Sequence, residues 1–468
     1  MTDRTQGTPA WSQLLRRRDM LRLGGLGFAG CAALPEAGGH AMQAGETRRS
    51  IAASARSVIL LWMSGGVTHI DSFDPKPDAP AEIRGTLGAI QTSVPGVFFN
   101  ESLPCLAPLA GHLGLVRTFS HDSNDHFIGQ AHCLSGRHVT AQQTFSEPNI
   151  GSICSSRRGS RNGFPGYIAA PGTTRAGAET PFTGGWLGHE YDPFCTGGSR
   201  PLNLPEEQVN MQGLTYLPDL TTGRLSARRS LQQRLDSTLR GVDRQGSADL
   251  LSRQYGAAFD LMLSPDVRRA FDLRLETDAT RDRYGRTKIG QRCLLAHRLV
   301  EAGASFVLVD YGVDGDSGNT WDNHNAPGQN HPPICEIVRQ PYHLAGADRA
   351  FAALIEDLDH SGRLAETMIV FLTEFGRTPR INKDGGRDHW CYTGSIFFTG
   401  GGTQGGRVIG ATDAQGAYPL GASQSPGDVA ATIYQALGID TQIPLIDRTG
   451  RPIAVVPEGT PIPGILRS

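Results

Sequence analysis

A chain of 468 residues with 38% hydrophobic and 19% charged residues has room for one large α/β domain or two smaller ones, and its composition excludes general disorder. Lys+Arg 44 against Asp+Glu 46 gives a formal net charge of -2, which excludes a global basic field for nucleic acid or an anionic membrane surface. With 59 Gly and 29 Pro, the chain suits a sheet protein whose loops carry the chemistry better than a helical bundle.

Residues 1–45 read as an address. Arg16-Arg17-Arg18-Asp19-Met20-Leu21-Arg22 is followed by the weakly apolar run Leu23-Gly24-Gly25-Leu26-Gly27-Phe28-Ala29-Gly30, which resembles a twin-arginine export signal with Arg17-Arg18 as the pair. The apolar stretch is about 14 residues, short of the roughly 20 that cross a bilayer, so no permanent transmembrane span is expected. Cleavage is expected after Ala41, with lipoprotein processing at Cys31 as the alternative; either route leads to the periplasm or the cell envelope. Twin-arginine cargo folds before it crosses, which raises the expectation of a metal. Removing Cys31 leaves seven cysteines, an odd number in an oxidising compartment, and none lie in a Cys-x-x-Cys spacing, so a thiolate zinc knot is not expected.

The remaining residues, 46–468, read as a single domain. Ser57-Val58-Ile59-Leu60-Leu61-Trp62-Met63 is a continuous apolar run closed by Gly65-Gly66, the pattern of a strand buried on both faces of a parallel sheet. A second strand is expected at Leu113 to Arg117, then a polar loop and a short helix from His126 to Leu134. Residues 141–275 form an expected excursion, irregular to about Leu220 and helical with charged faces from Leu225 to Leu275. Core alternation resumes with a helix over Ile289 to Ala302, a strand over Ser305 to Val309, an amphipathic helix over Ala345 to Leu364 and a strand over Thr367 to Leu372. That alternation predicts parallel strands with their loops gathered at the carboxyl edge.

Several segments carry a resemblance in the same chain order. Leu134-Ser135-Gly136-Arg137 is similar to the Leu-Thr-Gly-Arg that closes the sulfatase nucleophile helix. The unit from Ala345 to Gly376, ending Leu372-Thr373-Glu374-Phe375-Gly376, resembles the helix, turn and strand that end in Thr-Ser-Asp-His-Gly in sulfatases and phosphatases. Gly427-Asp428-Val429 to Gly438 is similar to their C-terminal helix. Closer still, His69-Ile70-Asp71-Ser72-Phe73-Asp74-Pro75, Trp321-Asp322-Asn323-His324, Glu374-Phe375-Gly376-Arg377-Thr378-Pro379 and Gly386-Arg387-Asp388-His389-Trp390 resemble the domain-of-unknown-function 1501 family. The resemblance implies export and an alkaline-phosphatase-like α/β fold, a mostly parallel central sheet flanked by helices. It implies no particular reaction.

Laid against the superfamily plan of Asp and His ligands around one or two divalent ions beside a helix-start nucleophile, the chain departs in places. Asp71 is the nearest acidic group after the first strand, with a turn-forming role as the alternative. The nucleophile position falls on His126, where a ring nitrogen could ligate metal or accept a phosphoryl group; the alternative is a plain helix-start residue behind a Ser123, Asn124 or Asp125 cap. Ser123 is a fallback nucleophile. Asp322 and His324 are expected on one metal, with His331 as a further nitrogen and a polar surface loop as the alternative. Glu374 keeps one carboxylate where relatives have Asp-His. Asp388 and His389 could restore the pair, or Asp388 could orient a ring. Arg377 is expected to meet an anionic substrate oxygen or to pair with Glu374, and Trp390 to form a pocket wall.

Two functions follow. One is a hydrolase using a divalent ion, zinc or calcium, on sulfate or phosphate esters of small molecules or glycans, with metal-bound water or His126 attacking. The other is a binding or envelope-associated protein on a degenerate scaffold. A redox protein is disfavoured, since neither a dinucleotide fingerprint nor a haem motif is present.

Overall fold

The computed structural model describes residues 52–172, 183–196, 222–240, 259, 263–314 and 318–467. The expected export signal lies outside these residues. Its central element is an eight-stranded sheet. In chain order the strands are β1 (Ser57–Met63), β2 (Leu113–Phe119), β3 (Ile168–Ala170), β4 (Phe194–Cys195), β5 (Phe306–Asp310), β6 (Thr367–Thr373), β7 (Gly394–Thr399) and β8 (Arg407–Ile409). Their spatial order is β8-β2-β7-β6-β1-β5-β3-β4.

All seven residues of β1 are buried, because the strand pairs in parallel with β6 on one side and with β5 on the other. Its side chains alternate between two cores. Ile59, Leu61 and Met63 enter the cluster beneath α3 (Lys288–Glu301) and α4 (Leu344–His360). Val58, Leu60 and Trp62 enter the cluster on the opposite face, with α1 (His126–Ser135), α2 (Ile150–Arg158) and α5 (Pro426–Ala436). Each such aliphatic side chain contributes about 1.5–3 kcal/mol by leaving water, so this strand fixes the three-layer order of helices, sheet and helices.

Only β7 runs antiparallel to its neighbours, β6 and β2. Residues that follow the parallel strands leave at the carboxyl edge, and residues that precede β7 arrive at that same edge. The loops after β1, β2, β5 and β6 and the loop before β7 therefore meet there. Thr373 fastens two of them: its Oγ1 donates to Met63 O and accepts from Val67 N, both at 2.9 Å.

The expected irregular stretch differs from its reading. It supplies α2 and two short strands, β3 and β4, which extend the sheet beyond β5. At three and two residues these strands are too short to show a period. Of the expected helical part, Thr222–Arg240 and Pro265–Phe271 are helices, and residues 241–258 and 260–262 lie outside the described set. Among the described residues no helix is long and apolar enough to cross a membrane. The seven cysteines from Cys105 to Cys391 carry no disulfide.

Candidate metal centre

At the carboxyl edge, His126, Asp322, His324 and His389 offer ligand atoms that all lie within 4.8 Å of one another. Each is delivered by local chemistry. Asp125 caps α1, its Oδ1 accepting from Ile128 N at 3.0 Å, which fixes His126 at the first helical position. Asp322 and His324 follow β5 through a loop that closes tightly on the Gly65-Gly66 turn. A Cβ on Gly65 (φ 124°) would sit 2.9 Å from Asp322 N, and one on Gly66 (φ 93°) would sit 2.6 Å from the Phe375 ring, so both positions require glycine. His389 is held opposite Arg377 in a short antiparallel ladder, Gly376↔Trp390 and Arg377↔His389.

Three ligand atoms form a tight triangle. His324 Nε2 and His389 Nε2 are 2.7 Å apart, and Asp322 Oδ1 lies 3.1 Å from each. The far nitrogens settle their protonation. His389 Nδ1 is 2.7 Å from Asn124 O, a carbonyl that can only accept, so Nδ1 carries the proton. His324 Nδ1 donates in the same way to Asp388 Oδ1 at 2.9 Å. In the neutral rings both Nε2 atoms are therefore bare lone pairs aimed at each other and at a carboxylate oxygen, an arrangement that a divalent cation relieves. Metal-bound histidines are oriented in this way by carbonyl or carboxylate partners, and two imidazoles with one carboxylate form a donor set that fits zinc-like ions. Burial lowers the His389 pKa, which keeps its ring neutral.

His126 is different. Its Nδ1 donates to Glu374 Oε1 and its Nε2 lies 3.1 Å from Asp322 Oδ2. Burial alone would lower its pKa, but the two carboxylates outweigh burial and raise it. Nδ1 is taken by Glu374, whereas Nε2 has no hydrogen-bond partner and lies among the converging ligand atoms, so His126 is placed as a further nitrogen donor rather than as a free nucleophile. Glu374 is fully buried; its Oε1 also accepts from Gly65 N at 2.8 Å, and its Oε2 has no hydrogen-bond partner. It stands behind His126 rather than in the triangle. Phe375 forms an apolar wall 4.6 Å from the His389 ring and 5.3 Å from the His126 ring, centroid to centroid.

Other expected site residues are placed elsewhere. Both Asp71 oxygens are taken by Arg387, at 2.7 and 2.9 Å, and Thr68 Oγ1 donates to Oδ2 at 2.8 Å. With each oxygen spent, Asp71 is a strut and not part of the converging set. Arg377 is 1% exposed and cannot reach a substrate oxygen. Its guanidinium donates to Gly66 O and Trp321 O at 2.9 Å, to Arg387 O at 3.1 Å, to Gly65 O and to Asp322 Oδ1 at 2.9 Å. The pair it makes is with Asp322, not Glu374. Burial opposes the charge on Asp322, yet His126 and Arg377 help to hold its carboxyl well below the usual range. Asp388 orients His324 and is braced by Asn382 Nδ2 at 3.1 Å. Ser123 Oγ is a turn acceptor for Asp125 N. His331 is not in the converging set. Trp390 donates to Ala417 O and packs edge-to-face against Tyr392 and Tyr418.

Sequence reasoning missed Asn124 and Asn382 as ring and carboxylate supports. Asn124 was visible only as a helix-cap candidate, because a backbone carbonyl acting across 265 residues leaves no side-chain signal.

Residues 55–466 match the family described as "Protein of unknown function (DUF1501)". The chain belongs to the DUF1501 family. No curated protein is similar enough to match it. Solved structures similar to this DUF1501 chain include the lipoteichoic acid synthase LtaP from Listeria monocytogenes, at 11% identity and a TM-score of 0.39, covering 89% of this chain and 77% of that one. The phosphonate monoester hydrolase SpPMH from Silicibacter pomeroyi is 13% identical with a TM-score of 0.36, covering 82% and 73%. The C-terminal periplasmic domain of EcEptC from Escherichia coli, in complex with Zn, is 10% identical with a TM-score of 0.35, covering 88% and 92%.

Proposed function

We propose that this chain is a metal-dependent hydrolase of sulfate or phosphate esters, carried on small molecules or glycans. The observation that carries the reading is the convergence of His324 Nε2, His389 Nε2 and Asp322 Oδ1 with no proton between them. Two nitrogen donors favour zinc over calcium, which takes oxygen ligands. A bound ion would supply Lewis-acid polarisation of an ester oxygen. Asp322, His324 and His389 would hold it, while Asp388, Asn124 and Arg377 keep those three oriented. His126 would offer the same ion a further nitrogen, and Phe375 walls the inner side beside the His126 and His389 rings. Under this reading the protein acts outside the cytoplasm, the Arg17-Arg18 pair directing export; changing both to Lys should leave precursor inside the cell.

A second reading, a metal-holding binding protein, is favoured by His126 at the first position of α1, where the resemblance places a hydroxyl or thiol nucleophile. The deciding experiment assays zinc-loaded wild type and Asp322→Asn on a panel of sulfate and phosphate esters. The hydrolase reading expects turnover in the wild type and its loss in the variant. No turnover by zinc-loaded wild type on any ester leaves the binding reading.

A further inference from the structure

A second group of metal-type side chains stands apart from the first and shares no residue with it. His121, Asp122 and His132 offer ligand atoms within 4.8 Å of one another, at a cavity of about 280 Å³ that is also lined by His138, Ser425 and Glu458. The loop after β2 supplies His121 and Asp122, and the last turn of α1 supplies His132. Gly129 lies beneath the His121 ring, which a Cβ there would meet at 3.4 Å, in ordinary contact.

Hydrogen bonding settles which ring nitrogens face the cavity group. His132 Nε2 lies 3.1 Å from Val139 O and therefore donates to it. In the neutral ring its Nδ1 is a bare lone pair, and that atom lies 3.5 Å from Asp122 Oδ1, a second acceptor with no proton to share. His121 differs: its Nε2 donates to Glu374 O and its Nδ1 accepts from Ser123 N–H at 3.2 Å, a hydrogen bond that a cation on Nδ1 would replace. His138 Nε2 holds the other oxygen, Asp122 Oδ2, at 2.9 Å, so the carboxylate is aimed while Oδ1 stays open. A ring tethered by a carbonyl at the far nitrogen with the near nitrogen turned toward a carboxylate, as in His132, is the outer architecture of a metal site. An ordinary hydrogen-bonded network would instead place a proton between His132 and Asp122.

We propose that His121, Asp122 and His132 form a second site for a divalent transition metal of the zinc type, with cavity water completing its coordination. Two imidazoles and one carboxylate leave open positions for water or a ligand. The site meets the first through Glu374 O, through the Ser123-Asn124-Asp125 loop that carries the His389 carbonyl partner, and through the Phe375 ring, 6.4 Å from the His121 ring centroid to centroid.

The test is zinc titration of the chelator-stripped full chain by calorimetry, with near-ultraviolet circular dichroism to verify folding. Asp322→Asn removes the first centre, so that variant should still bind one zinc ion. Adding Asp122→Asn, at a side chain 65% exposed where folding is safe, or His132→Gln should weaken that ion by about a hundredfold or more. A wild type that binds one ion, lost in Asp122→Asn and kept in Asp322→Asn, supports this site and overturns the first. An Asp322→Asn protein that binds no zinc, or whose ion is indifferent to both further changes, overturns the proposal.

Discussion

Arg377 Nη2 donates to Asp322 Oδ1 at 2.9 Å from a position with almost no exposure. The same nitrogen also meets Gly65 O and Trp321 O, while Nε donates to Gly66 O and Nη1 to Arg387 O, so the residue ties three loops to one carboxylate. Lys keeps the charge and loses the planar fork. Arg377→Lys should cost about 2–4 kcal/mol in urea unfolding and reduce zinc affinity at the Asp322 site about 10–100-fold. Stability and zinc affinity both unchanged would show that Arg377 positions nothing.

His126 Nδ1 and Glu374 Oε1 form a buried hydrogen-bonded pair. Removing the ring leaves Glu374 with Gly65 N as its remaining partner, and breaking such a pair costs about 3–5 kcal/mol. His126→Ala should therefore be much less stable than His126→Ala/Glu374→Gln relative to simple addition, with a coupling of about 0.5–3 kcal/mol. The folded pKa of His126 is raised, so the pair's stabilisation is complete below the unfolded value of about 6.5 and is lost as pH rises through the folded value. Proton titration by NMR on the chelated protein should place the His126 midpoint above 6.5; a midpoint at or below it would contradict the clamp.

Asp71 and Arg387 give the opposite signature. Both are buried and mutually satisfied, so Asp71→Ala should cost about 3–5 kcal/mol and leave the zinc affinity of the folded protein within a few-fold. Asp322→Asn, which also loosens the Arg377 pair, should lose zinc binding in the protein that remains folded. An Asp71 variant that folds normally and loses zinc would restore Asp71 as a ligand.

Asp310, at the end of β5, has its pKa pushed up to about 7 by burial. Its unfolded value is about 3.9, so the folded chain holds an extra proton between those values, and stability falls as pH rises from about 4 to about 7. Asp310→Asn should flatten that slope and gain on the order of 2–4 kcal/mol at pH 8. Denaturant midpoints across pH 4–8 read the effect, and parallel profiles for the two proteins would refute it.

The core was legible because buried parallel strands are written as unbroken apolar runs. Ser57–Met63 and Thr367–Thr373 stood out for that reason, whereas Ile168–Ala170 and Phe194–Cys195 were lost in loops. At the site, strand-end position picked out Asp322, His324 and His389, which the structure does bring together. Asp71 and Arg377 carried the same sequence signal and are spent on internal bonds, because a motif records which groups reach the carboxyl edge and not which partners consume them. The His121, Asp122 and His132 group escaped notice since its members are split between a loop and the far end of a helix.

The reversed direction of β7 bears on how the molecule comes apart. His389 reaches the edge only when β7 has inserted between β6 and β2, strands distant from each other in sequence, and such non-local pairing is slow and late. A cation at Asp322, His324 and His389 would thus bind after the rate-limiting barrier to folding. Interactions absent from the transition state act on the unfolding rate, so the ion would work as a latch on the finished sheet, lengthening the native lifetime while leaving the speed of folding unchanged.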